Sequence, residues 1–306
     1  MSAGLLHLLC LRAAGRIPDE ELAELRSLVA AGDGTACAAR LLGAFPQAEE
    51  EIAALATLLP PGTPLPTPAP DDAVDAPPTT PFIPFPPADL PFYGKSSPLV
   101  VDETVGGIVD VFDQALLGTL DQRRTTGVWR SWRIDLGPGD QATAVRVYLV
   151  ETMLPNDELP QAAERGHRAL AAAGHAGLVE VFLPGLPLPA FQRAALSRSA
   201  LIWAPWPAGE VRTAAGGPAT AVLDDDEILP VVTYLRSAQP MTADLRTDGA
   251  WVWPSTLADR VLEEGAMTDS DLLRHVRARL LDPEDPADTV AVHRALASLV
   301  RAGALP

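Results

Sequence analysis

Residues 128–151, VWRSWRIDLGPGDQATAVRVYLVE, decide how this chain folds. Val128 to Asp135 and Ala144 to Glu151 are rich in β-branched and aromatic residues. Gly137-Pro138-Gly139-Asp140 between them carries turn chemistry. The spacing predicts an antiparallel hairpin. Val145, Val147 and Leu149 alternate onto one face and are expected to be buried. Arg146 and Tyr148 fall on the other face and are expected to point away from the core.

Strand and helix signals interleave around this hairpin. Ser97 to Thr104 reads as a strand and Ile108 to Leu120 as a helix. Asp157 to Ala173 reads as a helix that Gly174 closes. Leu178 to Leu183 (LVEVFL) is a buried strand, Leu188 to Ser199 a helix with Pro189 at its start, and Leu201 to Ala204 a short strand. Asp224-Asp225-Asp226-Glu227 leads into a helix through Arg236. Asp248-Gly249 is a turn before a Trp251–Trp253 strand, and Pro254 opens a helix to Glu264. Helices capped at Thr268 or Asp269 and over Ala287 to Ala302 complete the chain. Strands come first and helices dominate the end, which is an α+β arrangement with a mixed sheet.

Upstream, residues 1–59 carry the period of three or four short helices. Leu22, Leu25, Leu28 and Val29 form one apolar face, and Glu49, Glu50 and Glu51 open another helix. Fewer than 60 residues bury a marginal core, so this helical module is expected to lean on a partner or on the C-terminal domain. Residues 60–98 hold 14 of the 31 prolines. Proline has a fixed φ and no N–H, so this tract is expected to be an extended, solvated linker without helix or sheet. Phe82, Phe85, Phe92 and Tyr93 punctuate its end, which is expected to lie along the C-terminal domain or to serve as a docking peptide. The expected organisation is 1–59 helical module, 60–98 linker and 99–306 α+β domain.

The net charge of −17 is spread over all three parts, at −4, −3 and −10. No part offers the basic footprint that nucleic acid or an anionic membrane needs, whereas a basic protein partner suits it. No apolar run reaches the ~20 residues of a spanning helix. A short apolar run at Leu5–Leu11 lacks a basic flank, so a signal peptide is not expected. Cys10 and Cys37 have no C-x-x-C spacing, which leads us to expect a reduced, cytoplasmic setting. One lysine stands against 22 arginines, the mark of a GC-rich coding bias.

Catalytic and cofactor motifs do not emerge. His7, His167, His175, His275 and His293 fit no metal-ligand spacing and read as surface or satisfied helix residues. The acids at 224–227 lack calcium-loop spacing. Gly137–Gly139 and Gly216-Gly217 lack the pattern of a phosphate cradle, and there is no nucleophile elbow. No cofactor, metal or catalytic residue is therefore expected. The six tryptophans are the other signal, paired as Trp129/Trp132, Trp203/Trp206 and Trp251/Trp253. With Asp248 they are candidates for a partner-binding platform, since Trp is enriched in interface hot spots. The competing reading places most of them in the core or over a sheet edge, and is preferred.

Thr247-Asp248-Gly249-Ala250-Trp251-Val252-Trp253-Pro254 resembles the T-D-G-x-W-V-W-P segment of an uncharacterised actinobacterial protein family, and residues 178–204 have the same look. The resemblance covers about half of the C-terminal domain and brings no established activity. It implies kinship with acidic immunity or accessory components of bacterial conflict systems. By layout alone, a short helical module ahead of a linker is similar to adaptor domains of bacterial defence proteins. Three functions compete. The first is a non-enzymatic protein-interaction module. The second is an enzyme or small-ligand binder with a pocket gathered from Arg133, Glu151, Asp248, Trp251 and Trp253. The third is a structural subunit of a larger assembly.

Overall fold

A computed structural model describes residues 3–93, 97–107, 109–136, 142–215, 217, 219, 221–282 and 287–303. The fold is α+β, with a mixed sheet among helices. The chain forms two compact units, Met1–Pro205 and Trp206–Pro306.

The first unit opens with α1 (Ala3–Ala13), α2 (Asp19–Ala30), α3 (Gly34–Leu41) and α4 (Glu49–Ala56). The one-turn helix α5 (Asp71–Val74), β1 (Phe82–Ile83), a 3₁₀ turn (Pro87–Asp89) and α6 (Leu90–Tyr93) follow. Next come β2 (Val101–Asp102), α7 (Val111–Leu117), β3 (Thr125–Leu136), β4 (Ala142–Thr152), α8 (Leu159–Ala172), β5 (Leu178–Phe182), α9 (Ala190–Leu196) and β6 (Ala200–Trp203). The sheet order is β2-β6-β3-β4-β5, with β1 beside β3. β3 and β4 pair antiparallel, as the hairpin reading expects, with Trp129 opposite Leu149 and Trp132 opposite Arg146. The turn residues 137–140 lie outside the described residues, as does Ile108 at the expected start of α7.

Both faces of this sheet are covered, which corrects the expected exposure of Arg146 and Tyr148. Val147 and Leu149 are buried as expected and Val145 is half-buried, but Arg146 and Tyr148 are buried too. Tyr148, Val150, Val179 and Val181 pack with Leu116 of α7 and with Leu159, Ala162 and Leu170 of α8. Arg146 escapes the penalty for a buried charge because Asp110 accepts from it at 2.7 and 3.0 Å. It also accepts cation–π stabilisation from Trp132, whose ring centroid lies 4.5 Å from the guanidinium carbon.

The opposite face carries Glu180, fully buried in β5. Arg26 of α2 donates to it at 2.5 Å and Gln192 of α9 at 2.8 Å, while Gln192 also donates to the Leu11 carbonyl at 2.9 Å. His7 of α1 donates its Nε2–H to the Val181 carbonyl at 2.7 Å. Burial holds the His7 imidazole down at about 4, against the pull of that hydrogen bond. The helical module is thus part of the sheet's own unit, and the expected division into 1–59 and 99–306 is not the division the contacts make. The physical reason is that side chains of the helical module satisfy β5, Arg26 donating to Glu180 and His7 to the Val181 carbonyl.

The proline tract is likewise a strap rather than a free linker. Val74, Phe82 and Phe85 are buried, and Phe82 meets Phe191 edge-on at 5.2 Å. Arg12 donates to the Val74 carbonyl, and Arg193 pairs with Asp75 at 2.7 Å. One helical turn and a short paired edge strand therefore occur where no regular structure was expected. Proline permits both, because α5 starts just after Pro70 and β1 lies between Pro81 and Pro84.

The second unit comprises β7 (Arg212–Thr213), β8 (Ala221–Val222), α10 (Asp225–Ser237), β9 (Gln239–Pro240), β10 (Leu245–Thr247), β11 (Trp251–Pro254), α11 (Leu257–Glu264), β12 (Ala266–Met267), α12 (Ser270–Leu281) and α13 (Thr289–Arg301). Its four-stranded sheet runs β7-β11-β10-β9. Pro254 ends β11 and α11 begins at Leu257, so Pro254 lies outside the helix it was expected to open. Among the described residues no helix is long and apolar enough to cross a membrane.

Removing one member of the Arg26–Glu180 pair leaves a buried charge uncompensated. Arg26→Ala is expected to cost about 3–5 kcal/mol, whereas Arg26→Met with Glu180→Leu recovers most of it. Urea melts of the single and double variants check this.

Candidate functional site

The residues that carry the T-D-G-x-W-V-W-P segment form the polar centre of the second unit. Thr247, fully buried, donates its hydroxyl to the Trp251 carbonyl at 2.7 Å and accepts from the Gly249 N–H at 2.9 Å. Gly249 sits at φ +92°, and a Cβ there would come within 3.0 Å of Ala291 Cβ. Both facts demand glycine. Asp248 Oδ1 accepts from the N–H groups of Ala250 and Trp251 at 3.0 and 2.8 Å, as its turn chemistry predicts.

Two further partners were not legible in the sequence. Asp248 Oδ2 accepts from Tyr234 Oη of α10 at 2.6 Å and from His275 Nε2 of α12 at 2.6 Å. Burial pushes the Asp248 carboxyl up, but the bonds from Tyr234, Trp251, His275 and Ala250 outweigh it and hold the group below the usual carboxylate range. Burial and the same bond to Asp248 raise the Tyr234 phenol. A carboxylate can only accept, so His275 carries a proton on Nε2. In the neutral ring Nδ1 is then an acceptor. An imidazole held this way can move a proton. Among the described residues no Ser, Thr or Cys side chain hydrogen-bonds to it.

The tryptophans divide by burial. Trp129, Trp251 and Trp253 are buried, at 0, 6 and 1% exposed. Trp251 and Trp253 share the face that packs on Leu235, Val261 and Val276, while Val252 points the other way toward Ala295 and Leu299. Trp253 stacks on Tyr234 at 6.3 Å, and Arg212 lies over Trp251 at 5.8 Å. These three rings are core, as the preferred reading has it. Trp132 and Trp203 are half-buried, and Trp206 is 73% exposed.

Within the first unit, Arg133 and Glu151 do not share a site. Arg133 and Glu151 belong to the first unit, near opposite ends of the hairpin, while Asp248, Trp251 and Trp253 belong to the second. Arg133 donates to Asp19 at 2.7 and 2.9 Å and to Asp135 at 2.7 and 2.8 Å; Glu151 accepts from the Thr126 hydroxyl at 2.6 Å. The acids at 224–227 form a helix first turn, where Glu227 accepts from the Asp224 N–H and pairs with Arg277 at 2.6 Å. Among the described residues no three His, Cys, Asp or Glu side chains gather as a cation site. Gly137–Gly139 and Gly216 lie outside the described residues.

The second unit also presents an open groove of about 460 Å³. Leu229, Pro230, Thr233 and Ser237 of α10 line it with Leu280 of α12, and Tyr234 contributes the ring whose hydroxyl Asp248 holds. Leu229 and Leu280 are exposed, and so are Leu281 and the first-turn acids Asp225 and Asp226, which form no ion pair among the described residues. Comparison of the chain with protein-family models, with curated proteins and with solved structures finds no match.

Two outcomes test this centre. Trp251→Ala is expected to cost roughly 2–4 kcal/mol through lost contacts and a cavity, read as a lowered melting temperature. The depressed Asp248 group adds stability above the ordinary carboxylate value of about 3.9, and that stability is lost as pH falls through the folded value. The wild type is therefore expected to melt earlier on acidification below about pH 4. Asp248→Asn is expected to be less stable at neutral pH and to follow a flatter profile in that range, leaving the contributions of the other depressed carboxylates, Asp75, Asp110, Glu227 and Asp269.

Proposed function

We propose that this chain is a cytoplasmic protein-interaction component that binds a basic partner through the α10–α12 groove. The groove carries the reading. Leu229, Leu280 and Leu281 leave apolar surface exposed beside a depression, which is where partners bind rather than where a monomer is indifferent. Asp226 continues the same helical face one turn before Leu229 and Pro230, so an apolar groove is headed by unpaired acid. An amphipathic basic helix fits such a surface: its apolar stripe fills the groove and its cations meet Asp225 and Asp226. The acidic net charge steers such a partner. The buried free thiols Cys10 and Cys37 suit a reducing cytoplasm. An accessory or immunity-like role in bacterial conflict accords with the T-D-G-x-W-V-W-P resemblance.

A second reading rests on the 2.6 Å contact between Asp248 and His275, which prepares Nδ1 as a base. It makes the unit an enzyme whose base is His275, a residue outside the groove lining.

Leu229→Asp and Leu280→Asp separate the two. Both positions are exposed, so stability is expected to change by no more than about 0.5 kcal/mol. The variants are expected to lose binding to a Lys/Leu amphipathic helical peptide, measured by fluorescence anisotropy, while a Glu/Leu counterpart binds neither them nor the wild type. Equal binding of the basic peptide by wild type and both variants would sink the groove reading. Dependence of a turnover on His275, unaffected by either Leu change, would favour the enzyme.

A further inference from the structure

The first unit contains a second concavity, remote in the sequence from anything the interaction reading uses. It is a cleft of about 590 Å³ between α2, the end of α8 and the starts of β4 and β5. That volume lies within the range of small-molecule sites. Its walls are small and apolar: Ala23, Val145, Ala171 and Leu178, with the backbone of Gly174 and Gly177. Its polar side chains are Asp19, Glu20, His167 and His175. No lysine or arginine lines it.

The charge of the mouth follows by counting. Arg133 donates to both Asp19 and Asp135, so one cation meets two carboxylates and one negative charge remains. Glu20 adds a second; it is exposed and has no ion pair among the described residues. Burial and the nearby Arg146 lower the His175 imidazole, which disfavours its protonated form. His167 Nδ1 faces the Gly177 carbonyl at 3.3 Å and must donate to it, which in the neutral ring turns Nε2 into an acceptor. The start of α2 and the end of α8 both border the cleft, so their opposite dipole ends offset and the carboxylates set the sign.

An apolar cleft with acceptors and a surplus of negative charge at its mouth selects one chemistry. We propose that this cleft binds a small molecule made of an apolar body and a protonated amine. The body lies against Ala23, Ala171 and Leu178, and the ammonium donates to Glu20 and to His167 Nε2. Carboxylic acids are excluded by like charge, and neutral isosteres lose the ionic contact. The site forms only because α2 docks against the sheet, so occupancy reports on the N-terminal helices as well.

The test uses the full chain and three isosteric probes: 2-phenylethylammonium, 2-phenylethanol and phenylacetate. Titration calorimetry is expected to show the ammonium binding about tenfold or more tighter than the alcohol, with no binding of the acid. Amide shifts in two-dimensional NMR are expected at Gly174, Gly177 and Leu178. Glu20→Gln is expected to weaken the ammonium about tenfold, and Ala171→Trp, at an exposed helix position that lines the cleft, to abolish binding with the melting temperature kept. If Ala171→Trp does not fold, Glu20→Lys at the exposed mouth takes its place, with the same loss expected. Equal binding of ammonium and alcohol, binding that survives these variants, or no ammonium binding in the millimolar range each overturns the proposal.

Discussion

A carboxylate in the middle of a strand buried on both faces must find partners or be expelled. Glu180 is that carboxylate, and the first unit is arranged around satisfying it. Its two oxygens take Arg26 from α2 and Gln192 from α9, and Gln192 reaches on to the α1 backbone. One acid thereby ties three helices to the sheet. Desolvating an ion pair costs about as much as the pairing returns, so the contact acts less as a source of stability than as a condition on how the helices can dock. Hydrophobic burial around it supplies the driving force. The proline strap closes over the result, pinned by Phe82 and Phe85.

Asp248 does the corresponding work in the second unit. It holds its own turn through two N–H groups and draws in α10 and α12 through Tyr234 and His275. The two flanking tryptophans then close over the core. The tyrosine bound to that acid lines the exposed groove, so the geometry of the groove and the geometry of the turn are coupled. A segment whose chemistry is spent on structure thus shapes an exposed surface.

The two proposed sites differ in what they ask of a ligand. The α10–α12 groove is open, flanked by leucines and headed by acids, and suits a helix. The cleft beneath α2 is more enclosed, lined by alanine and glycine, and suits a small cation. Both draw on the same acidic composition. Net charge biases the chain toward cations in general, while the shapes of the two concavities decide their sizes.

Local chemistry was readable from the residues alone. Gly174 at φ +83°, Pro189 before α9, the Asp269 cap of α12 and the Asp248-Gly249 turn stand where short-range rules put them, because caps, prolines and left-handed glycines act within a few residues. The antiparallel pairing of the two hairpin strands was readable from their β-branched and aromatic composition. The exposure of their faces was not. Arg146 and Tyr148 are polar and alternate with valines, so period alone sends them outward, and only the packing of α7 and α8 turns that face into a second interior. The division of the chain escaped as well, because a proline-rich composition marks a tract without regular inner structure but not whether it lies free or is strapped down. Tyr234 and His275 stand 14 and 27 residues from Asp248. No local rule joins them, and their meeting is decided by how α10 and α12 pack across the sheet, where the cost of leaving the carboxylate unpaired selects the arrangement.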